Sequence, residues 1–129
     1  MTDSLQRFAR LVDTLLYKTK EGKLSWEYNH AKDEISVWNG DVVLLMVKSR
    51  DENYEDLYHI SLVNRSGFIL ERFSDVTISE LVSPDGTKNY FTRMGELFET
   101  AVRRYTGADK ALDEFMSALE EDRLDDIPF

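Results

Sequence analysis

The chain has 129 residues, a net charge of −9 and no cysteine. With 42% hydrophobic residues and 7 Phe, 6 Tyr and 2 Trp, it suits one globular domain with a modest core, not a disordered segment. The missing cysteines exclude a disulfide framework and thiol chemistry, and the acidic balance argues against a body built to grip phosphate backbones.

No apolar run approaches the roughly 18 residues of a membrane span. Met1 to Ser4 lacks the basic-then-apolar pattern of a signal peptide, so a cytoplasmic protein is expected. Leu5, Phe8, Ala9, Val12, Leu15 and Leu16 recur at helical spacing. They predict an amphipathic helix from about Asp3 to Lys20, with Asp3 or Ser4 as N-cap and Gly22 just past its end. Leu24, Trp26 and Tyr28 alternate with polar residues and predict a strand. Ile35 to Trp38 and Asp41 to Val47 flank Asn39-Gly40, the preferred dipeptide of a tight hairpin turn.

The run Val42 to Val47 is apolar on both faces, which predicts a strand covered on both sides, by helices or by a partner. Leu57 to Leu62 and Phe68 to Phe73 predict two more strands joined by the turn Asn64 to Gly67. Val76 to Val82 fits either a short strand or an irregular segment, and Ser83-Pro84-Asp85-Gly86 is a turn. A helical stripe then runs from Tyr90 to Tyr105, ended by Gly107. Gly95 inside it weakens the helix or permits close packing. Ala111, Leu112, Phe115, Met116 and Leu119 predict a last helix to about Glu121. The expected fold class is therefore α+β: an N-terminal helix, a four- to five-stranded antiparallel meander and two C-terminal helices. Residues 1–121 form one domain and 122–129 an acidic tail.

That tail carries the most specific signal. Asp125-Asp126-Ile127-Pro128-Phe129 combines two acids, a stiff Ile-Pro pair and an aromatic plug whose α-carboxylate ends the chain. It resembles the C-terminal tip of bacterial single-stranded-DNA-binding proteins (SSB), with Leu124 and Glu120-Glu121-Asp122 as looser support. In that family the tip docks on genome-maintenance proteins such as RecQ-type helicases, exonuclease I, RecO and PriA. The terminal Phe enters an apolar pocket and a basic residue pairs with its carboxylate. The resemblance implies such proteins as partners through Asp125, Asp126, Ile127, Pro128 and Phe129. It stops at the tail. The helix-first element order differs from the strand-rich order of an OB-fold, and no long Gly-, Pro- and Gln-rich linker precedes the tip.

Chemistry elsewhere is sparse. His30 and His59 lie far apart with no spacing for a metal site, and the acidic loop Asp51, Glu52, Glu55 and Asp56 matches no calcium loop. No nucleophile elbow or phosphate-cradling loop is present. No enzyme, cofactor or metal is expected. Trp26 and Trp38, with Lys23, Lys48 and Arg50, offer a base-stacking set for single-stranded nucleic acid, although tryptophans at alternating strand positions more often fill a core. The expected function is an interaction protein that docks through its tip on replication, recombination or repair enzymes, as recruiter or competitor. The alternatives are a single-stranded nucleic-acid binder and a homo-oligomeric structural module of a phage or mobile element.

Overall fold

A computed structural model gives the fold. It describes residues 2–121 apart from 85 and 87, and residues 2 and 3 by their backbone alone. The docking residues Asp125, Asp126, Ile127, Pro128 and Phe129 lie outside the described residues, as does Asp85 of the expected turn.

Helix α1 (Thr2–Lys20) leads into strands β1 (Glu27–Asn29), β2 (Glu34–Asn39), β3 (Val42–Arg50), β4 (Asp56–Asn64) and β5 (Ile69–Ser74). Helices α2 (Tyr90–Thr106) and α3 (Ala108–Glu120) follow. The strands pair antiparallel in the order β1-β2-β3-β4-β5, a meander. The α+β class and the five-stranded sheet agree with the periodicities.

Three local expectations change. Asp3 and Ser4 both lie inside α1, so neither caps it. The hairpin between β2 and β3 pairs Asn39 with Val42, which makes Gly40-Asp41 the central residues instead of Asn39-Gly40. Positive φ falls on Gly40 (62°) and not on Asn39 or Asp41. Glycine in that first central position is the pattern of a II′ turn, which also matches the strand twist. The run Leu24 to Trp26 is not strand. The Trp26 indole N–H donates to Thr19 Oγ1 at 2.8 Å, and the Thr19 hydroxyl donates to the Leu15 carbonyl at 2.6 Å. That chain of bonds draws the segment under the end of α1, and β1 starts only at Glu27.

The core sits between one sheet face and the two long helices. Ile35, Met46, Ile60 and Phe73 stand opposite one another across β2 to β5, and each is at most 3% exposed. Val12, Leu15 and Leu16 of α1 and Met94, Leu97, Phe98 and Ala101 of α2 close over them. Phe8 stacks on Phe73 with ring centroids 4.4 Å apart. Between β5 and α2 the chain makes turns, with Ile78 fully buried beneath them. The Ser83 turn closes through a bond from Gly86 N–H to the Ser83 carbonyl at 2.8 Å.

Helix α2 starts where the Asn89 side chain accepts the Thr92 N–H at 2.9 Å, an N-cap of the usual kind. Gly95 lets α2 lie close against Tyr58 of the sheet. A Cβ there would stand 3.2 Å from the Tyr58 hydroxyl. A polar seam fixes α2 against α1. Asp13 accepts from Arg93 Nε at 2.7 Å and from the Tyr90 hydroxyl at 2.8 Å. Lys20 pairs with Glu96 at 2.7 Å, and Arg104 donates to the Lys20 carbonyl at 2.6 Å, capping the end of α1.

Burial, and then its bond to Asp13, pushes the Tyr90 phenol up to about 12. A raised folded pKa means that the contribution is complete below pH 10 and is lost as the pH climbs through about 12. Tyr90→Phe should cost about 1 kcal/mol at neutral pH. Urea unfolding between pH 8 and 11.5 should show the wild type losing stability more steeply than Tyr90→Phe. Parallel curves would refute this role for the phenol.

Candidate interaction surfaces

Helix α2 stops at Gly107, whose φ of 74° lies in the left-handed region and whose N–H bonds the Arg103 carbonyl. Helix α3 begins at the next residue, so no loop separates the two. Arg103 and Asp109 pair across this corner at 2.7 Å. Leu112, Phe115, Met116 and Leu119 recur at i, i+3, i+4 and i+7 and form one stripe. No residue of α3 is buried, and Phe115 is 57% exposed. The periodicity that predicted the helix is real, yet this helix does not cover the sheet. Asp109, Asp113, Glu114, Glu120 and Glu121 make the rest of it acidic, against one base, Lys110. The result is an exposed apolar stripe set in an acidic surround.

The second surface is the outer face of the sheet. The side chains alternate, so Val43, Leu45 and Val47 of β3 point away from the core row. Leu57 and Val63 of β4 and Trp38 of β2 share that face. Val43 is buried yet lies outside the core cluster, shielded by its neighbours on the sheet. The expectation that β3 is covered on both sides is therefore met on one side only among the described residues. The helices that bury apolar residues, α1 and α2, both face the core row.

The base-stacking set does not assemble. Trp26 is 6% exposed and bonded into the core, whereas Trp38 is 54% exposed on the opposite side of the sheet. Trp38 instead holds Arg65 over its ring at 5.7 Å, and Arg65 pairs with Asp41 at 2.7 Å. Lys48 and Arg50 both turn to Asp56, each at 3.7 Å. Lys23 follows the end of α1, where its N–H bonds the Lys18 carbonyl. One aromatic is enclosed and two of the three cations share a carboxylate, so no common strip of rings and charges results.

An open cleft of about 300 Å³ lies between β1 and α2, lined by Tyr28, Asp33, Lys48, Tyr58, Phe98, Glu99 and Arg103 among others. The Tyr28 hydroxyl donates to Asp33 at 3.2 Å. Burial first, and then nearby carboxylates, raise both the Tyr28 and Tyr58 phenols above their ordinary value. None of the lining residues is Ser, Cys or His. His30 stands edge-on to Tyr28 at 6.0 Å, and His59 is half-buried on the outer sheet face. In the acidic loop the Asp51 carboxylate accepts the N–H groups of Asn53 and Glu55 at 2.8 and 3.0 Å, a local turn. Among the described residues no group of three or more His, Asp or Glu side chains converges on a metal-sized site, and no helix is long and apolar enough to cross a membrane.

The stripe of α3 is legible in sequence but its cover is not, because periodicity reports a greasy face and not what that face meets. The outer face of β3 was legible in the unbroken run Val42 to Val47. No family model, no curated protein and no solved structure matches this chain.

An exposed stripe has a thermodynamic signature. Phe115→Ser and Met116→Ser should each change the free energy of unfolding by less than about 0.5 kcal/mol. Phe98→Ala, in the core, should cost about 3–5 kcal/mol. Urea titrations in which Phe115→Ser costs as much as Phe98→Ala would mean that α3 is packed in solution.

Proposed function

We propose that this is an interaction protein that docks on genome-maintenance enzymes through its last residues, Asp125 to Phe129. The observation that carries the reading is the sequence Asp-Asp-Ile-Pro-Phe itself, an aromatic plug with a carboxylate and two acids, resembling the SSB tip. The character of α3 supports it. The tip follows a helix whose Leu112, Phe115, Met116 and Leu119 are uncovered, so a receptor that takes the plug meets a second apolar surface at once. Residues 122 to 129, even fully extended, reach only about 26 Å at ~3.3 Å per residue. The receptor therefore comes against the body. A basic rim on the receptor attracts Asp125 and Asp126 together with the acids of α3. An enzyme with its SSB-tip pocket filled in this way is either recruited to this protein or denied to SSB.

The direct test is competition. The full chain should displace a labelled SSB-tip peptide from the tip pocket of a RecQ-type helicase. Deleting Phe129, or adding residues after it, should weaken this at least about 30-fold, the loss of a central anchor worth about 2 kcal/mol. Replacing Asp125 and Asp126 with Asn should weaken binding less and flatten its dependence on salt. Equal displacement with and without Phe129 sinks the reading.

A further inference from the structure

We infer that the outer face of the sheet is a homodimer interface, in which two copies pack sheet against sheet about a two-fold axis running along the strands. The inference is independent of the tip.

The first ground is the sequence of the face. An antiparallel sheet that leaves one side to water places polar residues there. β3 places Val43, Leu45 and Val47 there instead, and β4 adds Leu57 and Val63. Trp38 extends the patch and is 54% exposed. The second ground is area. Four strands about 4.8 Å apart, of 6, 9, 9 and 6 residues, give a flat footprint of roughly 480 Å², before the relief of the side chains is added. A stable interface needs about 800 Å² of accessible surface per partner, which the corrugated face approaches.

The third ground is charge. At the strand positions from β2 to β5 the face carries two formal charges, Glu34 at one margin and Arg72 at the other, and at its turn end the Arg65–Asp41 pair lies beside Trp38. Arg72 spends its Nε on the Ser61 hydroxyl at 3.1 Å, and its guanidinium has further donors. Among the described residues Glu34 forms no ion pair. A two-fold axis along the strands lays β2 of one copy over β5 of the other. Glu34 stands in the row of Val47, His59 and Ser74, one row from the Ser61–Arg72 pair. It therefore arrives diagonally next to the partner's Arg72, and symmetry makes the same pair at the other margin. The apolar middle meets itself, so no like charges are buried although each copy carries −9. An axis across the strands returns β5 to β5 and sets Arg72 near its own copy. That arrangement lacks the compensation.

Light scattering and sedimentation of the full chain, from micromolar to sub-millimolar, should give twice 15.0 kDa. Leu45→Glu should raise the dimer dissociation constant at least about 100-fold, since it buries two unpaired carboxylates, and leave the circular dichroism spectrum unchanged. Should Leu45→Glu fail to fold, the margin decides. Glu34→Arg and Arg72→Glu should each weaken the dimer, and the two combined should restore it. A wild type that stays at 15.0 kDa throughout overturns the inference, leaving the face to another protein. A dimer lost in Phe115→Glu but kept in Leu45→Glu overturns it too, because α3 is then the contact. A charge-swapped double variant no better than the singles refutes the axis.

Discussion

The row Ile35, Met46, Ile60 and Phe73 is the constraint on which the rest of this molecule depends. Side chains on a strand alternate, so a slip of one residue in any pairing would exchange the two faces. In the observed register the row brings four side chains, each at most 3% exposed, under α1 and α2. The same register sends Val43, Leu45 and Val47 outward. The core and the uncovered face are thus a single decision. Phe8 stacked on Phe73 and Gly95 against Tyr58, two residues from Ile60, show how closely each helix follows that face.

Polar contacts then set the helices within a geometry the core permits. Asp13 takes bonds from both Arg93 and Tyr90, and Lys20 and Arg104 tie the ends of α1 and α2 together. These contacts cost little where they are partly hydrated and give direction where apolar packing gives none. They engage three of the chain's 16 Lys and Arg residues, Lys20, Arg93 and Arg104. Helix α3, by contrast, has Lys110 as its one base among several acids.

The elements were legible because hydrophobic period is a local property, and α2 with its Gly107 stop is the clearest instance. Trp26 was misread for the opposite reason. Its alternation with Leu24 and Tyr28 imitates a strand, and only its bond to Thr19 reveals that it belongs beneath α1. The hairpin turn moved by one residue because Asn-Gly and Gly-Asp overlap in Asn39-Gly40-Asp41, and pairing partners decide between them. The stacking set of Trp26, Trp38, Lys23, Lys48 and Arg50 failed on burial and on Asp56, neither of which sequence spacing reports. The proposed tip at Asp125 to Phe129 rests on sequence alone, since its chemistry needs no fold around it.

The two margins of the sheet differ from its face in a way that bears on aggregation. β1 is an edge of only three residues, and Glu27 and Asn29 flank its single aromatic. β5, the other edge, meets β4 through an irregularity at Leu62 and Val63 and carries Glu71 and Arg72 along its length. Short, bulged or charged edges resist the addition of further strands. Association edge to edge has no natural stopping point and leads to fibres, whereas a face that meets its own copy is consumed in one step. A meander with blunted edges and a greasy outer face is thereby steered away from open-ended assemblies and towards closed ones.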